Sequence, residues 1–307
     1  MIARIKRLLK RILGYNKPNN SYKSSATYWT DHNVTNHLKF KSKKESLSFL
    51  QWRFDQYPGY EELMPCNGFD DKVVLDYGCG PGHDLVGFHE HSKPKKIIGM
   101  DVSSSSLEEA RLRLQLHEAE TVVDLMKIDE NGIIPLPDNS VDYIHSSGVL
   151  HHLTPDLMMV VLNEFNRILK NDGFIKIMVY NSYSIWNHLY VGYLMRHTGD
   201  KFRGLELADA FRRSTDGENC PISRSYVPSD FITICNKANF TTKYLGAGIC
   251  LTELAILDKL IEAKQNRNLE EEHHNFLKSL TFNDKLYPIY QNHIAGLDAV
   301  FELKKTI

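Results

Sequence analysis

The chain has 307 residues, 42% hydrophobic and 24% charged, with 37 Lys and Arg against 38 Asp and Glu for a formal net charge of −1. That length holds one substantial domain with an elaboration, or two modest domains, of ordinary soluble globular composition. The near-zero balance excludes a global attraction for nucleic acid, so any basic partner surface must be local. Cys66, Cys79, Cys220, Cys235 and Cys250 are odd in number and lack a C-x-x-C spacing, which argues against a disulfide framework or a zinc site and for a reducing compartment. No apolar run reaches the roughly 18 residues of a membrane span, and no signal-peptide pattern opens the chain. The expected location is the cytoplasm.

In chain order, the first feature is basic. Residues 1–30 contain no acid, and Arg4, Lys6, Arg7, Lys10 and Arg11 fall on one half of a helical wheel, opposite Ile2, Ile5, Leu8, Leu9, Ile12 and Leu13. Two uses fit such a helix: docking on the protein body, or peripheral contact with the inner face of a membrane through residues 1–13. From Lys72 onward, short β-rich runs alternate with helical patterns, the signature of βαβ units and a parallel sheet. Strands are predicted at Lys72–Tyr77, Lys96–Val102, Val122–Ile128, Val141–Ser146 and Phe174–Tyr180. Helices are predicted from Ser103 and from Thr154, the latter ending at Asn171-Asp-Gly173 with Gly just past its end.

After Tyr180 come aromatic-rich helical patterns over 182–226 and a turn-prone run, Asp216-Gly-Glu-Asn-Cys-Pro221. A short helix near 229–239, a strand at Thr241–Leu245, a charged helical stretch at Leu251–Leu280 and a last strand at Asp298–Lys304 follow. The expected organisation is an N-terminal helix and linker (1–24), a core with a helical elaboration at 182–226 (25–249), a helical insertion (250–296) and the core's last strand (297–307).

The run Val73-Val-Leu-Asp-Tyr-Gly-Cys-Gly-Pro-Gly82 predicts a strand delivering a backbone-exposing loop to a helix N-terminus, which suits a nucleotide-like ligand. A dinucleotide pattern requires Gly-x-Gly-x-x-Gly, and here the third glycine arrives one residue early, leaving His83 at the required position. Asp76-x-Gly-Cys-Gly-x-Gly82 instead resembles the first motif of class I S-adenosylmethionine-dependent methyltransferases. The block Ile134–Leu153 resembles the fourth-strand region of small-molecule, type 11-like members, and Asn163–Phe174 resembles their approach to strand five. The resemblance spans roughly 70–182 and returns weakly at 226–247 and 298–304. It implies a Rossmann-like α/β fold, a seven-stranded mostly parallel sheet with helices on both faces.

The resemblance also implies roles. Gly78, Gly80 and Gly82 bring backbone N–H groups to the methionine part of S-adenosyl-L-methionine, and Asp76 orients its ammonium group. Asp101, about 20 residues past the loop, takes the ribose, and Asp129 takes the adenine edge with Glu130 as an adjacent competitor. Ser146 and Ser147 lie beside the methionine moiety, and Tyr28 and Trp29 resemble an aromatic pair closing over the cofactor. His151 is the first candidate for a general base, ahead of His152. Tyr180, Asn181 and Tyr183 can orient an acceptor. Each of these has a structural alternative: Asp101 as a helix cap, Asp129 as a loop acid, the histidines as caps, the tyrosines as turn or core residues.

The implied reaction is in-line methyl transfer to an oxygen or nitrogen nucleophile of a small-molecule or lipid- or glycan-linked acceptor. A non-catalytic cofactor-binding accessory protein is the alternative, and a nicotinamide-dependent oxidoreductase a weaker one. Arg203, Arg212, Arg213 and Arg224 suit an anionic acceptor. No nucleic-acid partner is expected, since no Asn-Pro-Pro-Tyr follows strand four. No metal is expected either, because His273, His274 and His293 lack an i, i+4 partner.

Overall fold

The structure, a computed structural model, describes residues 24–33 and 38–306. The basic helix expected over residues 1–13 lies outside the described residues. Five strands, β1 (Val73–Tyr77), β2 (Lys96–Asp101), β3 (Val123–Lys127), β4 (Val141–Ser147) and β5 (Leu169–Asn181), form a parallel sheet. A two-residue strand β6 (Ser225–Tyr226) adds to the end of β5. Beyond β5 come β7 (Phe240–Gly248) and, after three short strands β8 (Thr281–Phe282), β9 (Pro288–Tyr290) and β10 (His293–Ile294), the last strand β11 (Asp298–Lys305). The spatial order is β3-β2-β1-β4-β5-β11-β7, with β11 antiparallel to both neighbours. This is the Rossmann-like, mostly parallel sheet that the sequence led us to expect.

Both faces are covered, which explains why the central strands read as continuous apolar runs. Successive residues send their side chains to opposite sides, so Val74 and Ile97 join one core and Leu75 and Ile98 the other. The first core is closed by helices Lys43–Gln56, His83–His91 and Ser104–Gln115 through Leu50, Phe88 and Leu114. The second is closed by Pro155–Ile168 and Pro228–Lys237 through Leu162, Phe165 and Phe231. Strand order reverses between β1 and β4, and an open α/β sheet takes its ligand in the crevice at such a switch point.

One expectation is corrected. The helix from Thr154 ends at Ile168, and Asn171-Asp-Gly173 lies within β5 rather than capping that helix. Leu169 pairs with Val141 but Phe174 pairs with Tyr143, so the extra residues form an irregularity in the ladder. A Cβ at Gly173 would stand 2.8 Å from the Asp142 carbonyl oxygen, so close approach, not a left-handed cap, calls for glycine there. After Tyr180 the expected helical pattern takes a rarer form, a π-helix over Trp186–His197. Against it pack Leu260–Gln265 and Glu271–Ser279, two of the helices into which the stretch 251–280 breaks. All five cysteines are free, and among the described residues no helix is long and apolar enough to cross a membrane.

The antiparallel wedge β11 depends on Phe301, buried between Phe231 and Tyr244 at ring distances of 4.7 and 5.1 Å. Phe301→Ala is expected to cost about 3–5 kcal/mol, read as a lower urea midpoint with an unchanged slope. An unchanged midpoint would contradict the packing role.

Candidate functional site

The glycine loop leaves β1 with Gly78, Gly80 and Gly82 all at positive φ (80°, 51° and 78°). Their neighbourhoods differ. A Cβ on Gly78 would meet Val149 Cγ2 at 2.1 Å and one on Gly82 would meet Ala110 Cβ at 3.2 Å, whereas one on Gly80 would meet nothing within 4 Å. The outer glycines therefore let the loop pack on the exit of β4 and on helix Ser104–Gln115, and Gly80 faces open space. Gly78 and Cys79 donate to the Met100 carbonyl at 2.7 and 2.9 Å. Gly80 donates to Asp101 Oδ2 at 2.9 Å. His83 is buried beside Arg113, which donates to its Nδ1. Burial, then the Arg113 charge, hold its pKa well below the usual imidazole value.

Gly80 opens on a cavity of about 540 Å³, within the range of small-ligand sites. Gly78, Gly80, Asp101, Asp129, Ser147 and Trp29 line it, as does His152. Asp101 Oδ1 accepts from Ser103 N–H at 2.7 Å while Oδ2 holds Gly80. It is thus both a loop clamp and a cavity wall. Burial raises its pKa, and these backbone donors oppose the rise. Glu130, the competitor of Asp129, is engaged: its carboxylate accepts from Ala26 N–H at 2.9 Å. That bond anchors helix Ser25–Asp31, which covers the cavity with Trp29. Ser103 and Ser105 hydroxyls donate to the Trp29 and Thr30 carbonyls at 3.1 and 2.6 Å, fastening the same cover.

The remaining expected residues stand behind this surface. Tyr28 is buried, its hydroxyl donating to the Asp216 carbonyl. Gly82 and Asp76 lie under the loop, and Ser146 donates to the Tyr77 carbonyl at 3.2 Å. Asp76 is buried with Oδ2 lacking a hydrogen-bond partner. Burial, then Asp84, push its pKa well up, against the pull of Arg53. Arg53 itself is committed to Asp84, with contacts of 2.5 and 3.2 Å. Ser147, on the cavity wall, is held by the Tyr60 hydroxyl at 2.6 Å.

At the other end the two histidines exchange their expected ranks. His151 is fully buried, its ring stacked 3.8 Å from Tyr180, and its Nδ1 accepts from Tyr180 N–H at 3.3 Å. The proton is therefore on Nε2, which has no partner and does not line the cavity. His152 does line it. Its Nδ1 donates to the Ile222 carbonyl at 2.6 Å, because a carbonyl can only accept, and this leaves the lone pair on Nε2. That atom lies 3.7 Å from Asp216 Oδ2. Asp216 is fixed in turn by the Tyr180 hydroxyl at 3.0 Å and the Ser223 hydroxyl at 3.1 Å. His151, His152 and Asp216 offer ligand atoms within 4.8 Å of one another.

Tyr183 and Asn181 line a separate cavity and do not join this group. The arginines considered for an anionic acceptor are also engaged elsewhere. Arg203 pairs with Asp200, Arg212 and Arg213 with Asp209, and Arg224 donates to the Leu153 carbonyl. Sequence reasoning overlooked Asp216 and Ile222 as site residues. Their signal was the turn-prone run 216–221, which folds back so tightly that a Cβ on Gly217 (φ 103°) would lie 2.8 Å from the Tyr28 hydroxyl.

Residues 74–173 match the family described as a methyltransferase domain. An uncharacterized methyltransferase of Schizosaccharomyces pombe is 30% identical over 109 residues, covering 33% of this chain and 37% of that protein. A human tRNA N(3)-cytidine methyltransferase is 28% identical over 152 residues, covering 48% and 51%. A crystal structure of an S-adenosylmethionine-dependent methyltransferase from Thermotoga maritima superposes with a TM-score of 0.54 at 14% identity, covering 92% of this chain and 100% of that one. Residues 74–173 are thus those of a methyltransferase domain, and the chain is similar to S-adenosylmethionine-dependent methyltransferases, whose cofactor is S-adenosylmethionine. It spans roughly a third to a half of the length of the two curated relatives named.

One further carboxyl sits at this sheet edge. Asp298 opens β11 opposite Tyr180, and burial, reinforced by Asp216 and opposed by Arg53, pushes its pKa from 3.8 up to about 7. The folded state keeps a proton that the unfolded chain releases near pH 4, so this residue's contribution to stability declines as pH rises from about 4 to 7. Asp298→Asn mimics the protonated form. Its gain in Tm is expected to be larger at pH 8 than at pH 5, by roughly 2–4 °C. Equal changes at both pH values in differential scanning calorimetry would contradict this assignment.

Proposed function

We propose that this chain transfers a methyl group from S-adenosylmethionine to an oxygen or nitrogen nucleophile of a small-molecule or lipid- or glycan-linked acceptor that enters beside His152. The observation that carries this reading is a single cavity joining the open backbone at Gly80 to the unshared lone pair of His152. In this reading residues 25–249 and 297–307 form the catalytic core, and 250–296 is an insertion beside it.

The residues present fit the cofactor on two counts. The space that a Cβ at Gly80 would enter is open, and Asp76 carries a buried oxygen without a partner, suited to an ammonium group. The loop Gly78–Gly82 would hold the methionine part, with Asp76 beneath it. Asp101 spends one lone pair of each oxygen on the backbone and keeps others for two ribose hydroxyls. Asp129 would take the adenine edge and Trp29 would cover it. When bound, S-adenosylmethionine supplies an already activated methyl group on a sulfonium. The protein's share is positioning, exclusion of water by helix Ser25–Asp31, and removal of a proton. His152 Nε2 is the proton acceptor in this scheme, and Asp216 faces the imidazolium that results. His151 and Tyr180 act from behind by fixing Asp216 and the backbone.

The human relative is named for action on tRNA. Here the charged side chains lining the cavity are Asp101, Asp129 and Glu130, with no Lys or Arg among the described lining residues. Such a rim repels a phosphate backbone, which favours a small or neutral acceptor group.

Isothermal calorimetry is expected to show saturable binding of S-adenosylmethionine and its demethylated product, abolished by Gly80→Arg and weakened at least about tenfold by Asp101→Ala. A chain that binds neither at millimolar ligand sinks the proposal. With labelled methyl donor and fractionated extracts of the native host, label is expected in small-molecule or lipid fractions. His152→Ala should slow transfer by about 10²- to 10⁴-fold with product affinity retained. Label confined to RNA would refute the acceptor class.

A further inference from the structure

We propose that the second cavity, between the core and the 250–296 segment, binds a methylated ammonium head group. It measures about 150 Å³. That is too small for a nucleoside beside the main cavity of about 540 Å³, but suited to one compact group. Tyr183, Tyr244 and Tyr290 supply three phenol rings to its wall, with His293 as a fourth ring. Tyr183 and Tyr290 meet edge to face, centroids 4.9 Å apart and planes 61° inclined. Tyr244 and His293 stand 4.5 Å apart at 56°. Rings inclined in this way form adjoining walls rather than a closed stack.

The walls are held by bonds to the backbone and by a tight turn. Asn181 uses both amide atoms on the backbone: its Oδ1 accepts from Tyr183 N–H and its Nδ2 donates to the Tyr183 and Gly296 carbonyls, each at 3.0 Å. Tyr290 and His293 are paired across a two-residue turn whose Gln291 and Asn292 both have positive φ (48° and 66°). That turn joins β9 to β10, so both rings ride on one tight hairpin. Little side-chain or backbone freedom remains to be lost on binding.

Charge selects the ligand's sign. The Tyr183 hydroxyl lies within electrostatic reach of Asp230 and Glu272, which help burial to raise its pKa. Among the described lining residues there is no Lys or Arg. Aromatic faces and nearby carboxylates together attract a cation, and methyl groups on the nitrogen suit contact with ring walls. A free phosphate or carboxylate is disfavoured by the same charges.

The test uses the full chain and two soluble probes, tetramethylammonium chloride and choline, in titrations followed by calorimetry. A neutral isostere of choline, 3,3-dimethylbutan-1-ol, separates cation recognition from simple filling of an apolar hole. Both cations should bind saturably and at least about tenfold more tightly than the neutral alcohol. Tyr290→Leu should weaken choline by about tenfold, and Tyr290→Phe should retain it. Tyr183→Leu gives a second aromatic deletion should the hairpin variant misfold. Equal affinity for the neutral isostere, or choline binding that survives both leucine variants, overturns the proposal, as does absence of saturation. Affinity for the demethylated cofactor product is expected to be the same in wild type and Tyr290→Leu. Its outright failure in the wild type would count against the methyl-transfer reading alone.

Discussion

The glycine loop, the helix after β2 and the cover over the main cavity are all registered to the Asp101 carboxylate. One oxygen takes the N–H of Gly80 and the other that of Ser103. A buried carboxylate without such donors costs several kcal/mol, so the two bonds let an acid sit there and use it to fix two elements at once. Ser103 then caps helix Ser104–Gln115 and holds the Trp29 carbonyl, extending the register to the cover helix. Loop, helix and cover are thus three dependents of one side chain. Ser103, not Asp101, is the cap of that helix, and the two backbone bonds leave Asp101 lone pairs to spare.

The sheet was legible because central parallel strands buried on both faces need apolar runs, and β1 and β2 supply them in Val73-Val-Leu75 and Ile97-Ile98. The ligand edge was legible for a related reason: closely spaced glycines following an apolar run have few other uses. Gly82 shows the limit of that logic, since its lack of a side chain serves contact with Ala110, not the cavity. The break at Gly173 was misread because a glycine after a helical run looks the same whether it needs a left-handed backbone or space for a neighbouring carbonyl. Local sequence cannot distinguish these, because Asp142 arrives from another strand.

Side-chain direction was the other illegible quantity. His151 and His152 are adjacent and chemically identical, and only their partners divide them. A backbone N–H from Tyr180 and a backbone carbonyl from Ile222 set opposite tautomers in neighbouring rings. Neither partner is encoded near the histidines, one lying at the end of β5 and the other in the Asp216–Ile222 turn. Tyr180 and Tyr183 diverge in the same way: one turns inward to Asp216, the other outward to the hairpin of β9 and β10. Arg212 and Arg213, legible as charge, are spent on Asp209 of their own helix and, for Arg212, on the Glu218 and Cys220 carbonyls.

The placement of β11 bears on how the molecule is assembled. Strands β5 and β7 do not touch, because Asp298–Lys305 lies between them, paired with both. Until those residues are available, two long strand edges, that of β5 carrying Ile175, Ile177 and Val179, remain open during synthesis, the kind of surface on which nascent chains mispair. Helix Pro228–Lys237 packs over β7, but cannot close the gap. All strands of the site half, β1 to β4, are complete by Ser147, well before β11 is made. The nascent protein should therefore acquire its ligand loop early and its full sheet late, with the interval between them set by the 250–296 segment.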